Sequence, residues 1–83
     1  MTKEDILKKY GNVELKFRHY YKYTFMFKGE TPEGEVVYAN VGGAADEIYR
    51  LDLDYNETGT ISNLEPCTIS VMKGSKVIAD WHE

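Results

Sequence analysis

Sixteen residues, Val13 to Lys28, alternate without a break. The odd positions hold Val13, Leu15, Phe17, His19, Tyr21, Tyr23, Phe25 and Phe27. The even positions hold Glu14, Lys16, Arg18, Tyr20, Lys22, Thr24, Met26 and Lys28. A period of two over such a span is a β-strand pattern, with one face packed and one face wet. No Gly, Pro, Asn or Asp interrupts it. A two-residue hairpin would invert the phase, because the residues flanking such a turn lie three apart and share a face. No inversion is visible, so the segment reads as one long strand, bent or bulged, since sixteen extended residues would span about 50 Å. A long bent strand that serves two parts of a curled sheet is what a small barrel or strongly twisted sheet requires.

The flanking segments supply the other elements. Thr2 to Tyr10 reads as a short helix. Thr2 caps it, Asp5 completes a variant capping box, Lys8 and Lys9 close the last turn, and Gly11 stops it. Ile6, Leu7 and Tyr10 make its apolar stripe. "GETPEGE" is a turn, with Pro32 at the second position of a type I turn and Gly34 left-handed after it. "EVVYANV" is the next strand. The segment 44–51 fits helical and extended spacing alike. A strand from about Ile48 is favoured, because "LDLDY" alternates. "GTISNL" reads as a short strand broken by Pro66. "CTISVM" and "KVIADW" form a hairpin about Gly74-Ser75, apolar on both faces and therefore expected in the interior or beneath the helix. The fold class is α+β in one domain, residues 1–83. It has a short N-terminal helix plus about six mostly antiparallel strands, in a strongly twisted sheet or partly open small barrel.

Composition narrows the function classes. A hydrophobic fraction of 42% and eleven aromatic residues, seven of them Tyr, argue for a packed core. Cys67 is the single cysteine, which excludes an internal disulfide and a cysteine-based metal cluster. The charged N-terminus has no apolar run of signal-peptide length, and no stretch approaches a membrane span. A cytoplasmic protein is expected. The net charge of −4 is unevenly spread. Residues 1–28 hold seven Lys/Arg against three Asp/Glu, and residues 29–83 hold three against eleven. Such bipolarity either pairs internally across a sheet or offers a charged face to a partner.

Three constellations are candidates for chemistry. In "DYNETGTISNLE", Asp54, Asn56, Thr58, Thr60, Ser62 and Glu65 fall at the liganding positions of a twelve-residue calcium loop, with Gly59 at its sharp turn. The segment resembles an EF-hand loop over those positions, which implies calcium ligation by those six residues. It departs by having Pro66 and "CTISV" where the second helix belongs, and by bringing only two carboxylates. A connection from Tyr55 to Thr60 with Gly59 left-handed explains the same residues locally. In "KFRHYYKY", the cations Lys16, Arg18 and Lys22 share the outward face with Tyr20. That mix suits single-stranded nucleic acid, or a protein partner, or internal pairing with Asp52, Asp54 or Glu35. Finally, Cys67, His19 and His82 form no recognisable nucleophile arrangement, and "VGGAAD" lacks the lysine and spacing of a phosphate loop.

The expectation is a small non-enzymatic protein-binding module with no cofactor, an inhibitor or regulator that docks on a partner such as a host enzyme or complex. The candidate contact residues are Arg18, Tyr20 and Lys22 on one side and Asp52, Asp54 and Glu57 on the other. Small acidic chains of this size are a common format for phage- or mobile-element-encoded inhibitors, an analogy of format alone. A single-stranded nucleic-acid-binding domain and a degenerate calcium loop are the alternatives.

Overall fold

The structure is a computed structural model that describes residues 2–21, 24–42 and 58–83. Helix α1 spans Lys3–Tyr10. The Thr2 backbone N–H donates to the Asp5 carboxylate at 3.0 Å, and the Asp5 N–H donates back to the Thr2 hydroxyl at 3.2 Å. This is the expected capping box. The donation from Thr2 holds the Asp5 carboxyl below its ordinary range. Gly11 closes the helix in right-handed geometry, its N–H donating to the Leu7 carbonyl at 2.9 Å. Ile6 and Tyr10 are the buried face.

Six strands follow, β1 (Leu15–Tyr21), β2 (Thr24–Glu30), β3 (Val36–Gly42), β4 (Thr58–Gly59), β5 (Thr68–Lys73) and β6 (Lys76–His82), with helix α2 (Ile61–Leu64) between β4 and β5. They form one antiparallel sheet in the order β4-β1-β2-β3-β5-β6. Among the described residues the sheet is open, with β4 and β6 at its edges. The coarse expectation, a short helix on a mostly antiparallel sheet, holds.

The long single strand does not. Tyr21 pairs with Thr24, so β1 and β2 are a hairpin with a two-residue connection. The reason is a cancellation. Phe17 pairs with Phe27, but His19 pairs with Met26, so Arg18 is an extra residue in β1. That bulge inverts the phase once, and the hairpin turn inverts it again. Two inversions leave the odd-even pattern unbroken in sequence although the chain has doubled back.

"GTISNL" is also corrected. Its β-branched residues do not form a strand, because Thr60 caps a helical turn by accepting from the Asn63 N–H at 3.3 Å. Glu65 ends that turn in the left-handed region at φ 50°. Gly59 lies in β4, not in a left-handed turn. A Cβ there would collide with the Leu64 side chain, which folds back over it. The strand expected from Ile48 and the ambiguity over 44–51 lie outside the described residues.

The remaining turns are as read. The Gly34 N–H donates to the Thr31 carbonyl at 3.0 Å, and Gly34 takes φ 82°. Gly74 takes φ 62° between the paired Lys73 and Lys76, as the first central residue of a type II′ turn requires. The hairpin β5–β6 is not interior, however. β6 is an edge, and its extra residue Ile78 disrupts the ladder between the Val71–Ala79 and Met72–Val77 pairs. Val77 and Ile78 are 50% and 36% exposed.

The core lies on one face of the sheet. Leu15, Phe17, Phe25, Phe27, Val37, Ala39, Ile69, Val71 and Ala79 meet Ile6 and Tyr10 of α1 and Ile61 of α2. The Phe17 ring stands 6.0 Å from Phe25 and 5.6 Å from Phe27. Both helices therefore cover the same face.

Candidate functional site

The opposite face is where the described structure presents chemistry. Backbone pairing fixes its rows. One row crosses five strands as Lys16, Lys28, Tyr38, Ser70 and Asp80. On one side of it lies Glu30, Val36, Met72 and Val77, and on the other Met26, Asn40, Thr68 and His82. Lys16, Lys28, Glu30, Val77, Asp80 and His82 are exposed, and the rest are half-buried by their neighbours. The face is thus apolar and polar at its centre, with Lys16, Lys28 and Glu30 on the β1–β2 flank and Asp80 and His82 on β6.

Two lysine pairs stand directly opposite in the sheet, Lys73 with Lys76 beside the β5–β6 turn and Lys16 with Lys28 within this row. Lys16 and Lys28 stand directly opposite each other, a like-charge pair that destabilises a sheet. Lys28 Nζ sits 5.7 Å from the Tyr38 ring centroid, which offsets part of that cost. The exposed Arg18 is the extra residue of the bulge in the same strand.

The sequence-predicted residues are partly redistributed. Arg18 is exposed, as expected. Tyr20 is not on the outward face. The bulge turns it to the covered side, where its ring lies 5.7 Å from Phe25 and packs on the core. Lys22, Asp52, Asp54 and Glu57 lie outside the described residues. Among the described residues, Glu35 pairs with none of the strand cations. It is 9% exposed and accepts a hydrogen bond from the Tyr10 hydroxyl at 2.5 Å. Burial first, then that hydrogen bond and the charges of Glu35 and Glu33, push the Tyr10 phenol up to about 12. Sequence reading missed Lys28 and Asp80 as site residues. They join Lys16 through strand pairing across the sheet, which local spacing does not encode.

For the calcium reading, Asp54 and Asn56 lie outside the described residues. Of the rest, Thr60 caps α2, the Ser62 hydroxyl donates to the Gly11 carbonyl at 3.4 Å, and Glu65 is exposed at the end of α2. The described half of that loop is a helical turn tied to α1, not a coordination loop. Among the described residues no three His, Cys, Asp or Glu side chains gather as metal ligands. Cys67 is half-buried and its thiol donates to the Asn40 carbonyl at 3.2 Å. No helix of the described residues is long and apolar enough to cross a membrane.

Comparison adds no relative to this picture: no protein-family model, no curated protein and no solved structure matches the chain.

Proposed function

We propose that this chain is a small non-enzymatic protein-binding module of the cytoplasm, an inhibitor or regulator that docks on a partner protein through the face of the sheet opposite its helices. The observation that carries the reading is the Lys16–Lys28 pair. Two cations held directly opposite each other cost the free protein stability, and a partner carboxylate set between them would relieve that cost. The half-buried Met26, Val36, Tyr38 and Met72 beside them supply apolar and aromatic contact area. The overall charge of −4 disfavours a phosphate backbone and favours a partner with a local acidic patch. Arg18 stays in the docking set, and Lys16 and Lys28 join it. Tyr20 leaves it, because its ring serves the core.

Affinity capture tests this. Immobilised protein, treated with nuclease, is compared with a Lys16→Glu, Lys28→Glu variant. The expected result is a defined protein retained by the first and lost, roughly tenfold or more, by the second, in proportion to reversed charge at a rim. Equal retention by both, or retention of nucleic acid alone before nuclease, would overturn the reading.

A further inference from the structure

The row Lys16, Lys28, Tyr38, Ser70, Asp80 has a symmetry of its own. Tyr38 lies on β3, at the middle of the five strands. β1 and β6 each lie two strands away, on opposite sides. At normal strand spacing, Lys16 and Asp80 are each about 10 Å from the β3 axis. A two-fold axis lying in this face, parallel to β3, carries β1 onto β6 of a second molecule. It sets Lys16 over Asp80 of the second copy, and repeats the contact by symmetry. Lys28 meets Ser70, Tyr38 meets its own counterpart, and Met26 meets Thr68. Val36 also lies on the axis and packs against itself. No like charges are brought together at any of these positions.

We infer that a second copy of this chain occupies the open face, in an isologous sheet-on-sheet dimer whose rim is the Lys16–Asp80 pair, made twice. The argument is charge complementarity along a mapped row, together with the position of the half-buried apolar residues near its centre. Facing sheets pack about 10 Å apart with their strands within about 30° of parallel, so an axis along β3 suits the geometry. A closed two-fold contact of this kind uses one surface on both molecules and ends at the dimer. The inference rests on the reading of this face as a binding surface and adds a regulation to it. The dimer hides the same residues that a partner would need, so partner binding competes with self-association.

The test is sedimentation equilibrium of the whole chain, with folding of each variant checked by circular dichroism. The unaltered protein is expected to show a doubled mass that falls to one chain on dilution. Lys16→Asp alone and Asp80→Lys alone should each weaken the dimer roughly tenfold or more, because every reversal replaces two attractions by two repulsions. The combined Lys16→Asp, Asp80→Lys chain should recover the dimer. A monomer at the highest soluble concentration would overturn the inference. So would a dimer indifferent to either single reversal, or one lost in both singles and not recovered in the combined chain. A doubled mass that nuclease halves would give the face to a phosphate backbone instead. Capture of a partner by a chain that sediments as a monomer removes the dimer and leaves the proposed function standing.

Discussion

Tyr10 and Glu35 show how a single polar contact can fix a helix on a sheet. The Tyr10 ring is 2% exposed, and its hydroxyl donates to a carboxylate that is itself buried. Thr31 holds the other side of Glu35. The Glu35 N–H donates to the Thr31 hydroxyl at 3.1 Å, and the Thr31 N–H donates to the Glu35 carbonyl at 2.9 Å. Tyr10→Phe keeps the ring but leaves a buried carboxylate without its donor, so a loss of about 1–3 kcal/mol is expected in chemical denaturation at neutral pH. The pH dependence gives a sharper signature. The folded-state phenol titrates at about 12 against an ordinary value of 10. Its stabilisation is therefore complete below pH 10 and lost as pH rises through 12, about 3 kcal/mol in all. Stability measured from pH 9 to 12 should fall more steeply in the unaltered protein than in Tyr10→Phe. Parallel curves would contradict the buried phenol–carboxylate bond.

At the level of elements, the bulge at Arg18 decides where the aromatic residues point. It is also why part of the fold was hidden in the sequence. The first helix was legible, since Thr2, Asp5 and Gly11 act through bonds three or four residues long. The β5–β6 hairpin was legible because Gly74 marks its own turn. The β1–β2 hairpin was not, because an unpaired residue and a tight turn each invert the pleat and their effects cancel. For the same reason the outward position assigned to Tyr20 was wrong, while Phe25 and Phe27 were placed correctly. "GTISNL" misled for another reason. Its β-branched residues suit a strand, but the Thr60 cap and the Gly11–Ser62 bond fix one helical turn against α1. The docking face was legible only as a run of cations. Its other members come from β2, β3, β5 and β6, and no local pattern joins them.

The bulge can be tested directly. Deleting Arg18 removes only the unpaired residue, so Phe17–Phe27, His19–Met26 and Tyr20–Phe25 run on as a regular ladder, whereas deleting the paired Lys16 turns Leu15 off the face it shares with Phe17, Tyr20, Phe25 and Phe27. Ejecting a buried leucine costs about 2–5 kcal/mol. Deleting Arg18 ejects no buried side chain and should cost far less. Chemical denaturation of the two variants separates them. Equal stability would contradict the register.

At the scale of the whole molecule, the division of labour is between two faces of one sheet. One is closed by α1 and α2 over a core of aromatic and branched residues. The other carries charge at both flanks and apolar side chains between them. Among the described residues, the mapped row has Lys16 and Lys28 at its β1–β2 end and Asp80 at its β6 end. Among the described residues the Lys28–Tyr38 contact offsets only part of the cost of the Lys16–Lys28 pair. This is the physical ground for assigning the face to binding. Its most direct test is site-specific photocrosslinking in cell extract. A photoreactive residue at Ser70, next to Tyr38 in the mapped row, is compared with one at Glu4, exposed on α1. The account predicts crosslinks to a protein chain, a second copy or a partner, from Ser70 and none from Glu4. Crosslinks from Glu4 with none from Ser70 would contradict it.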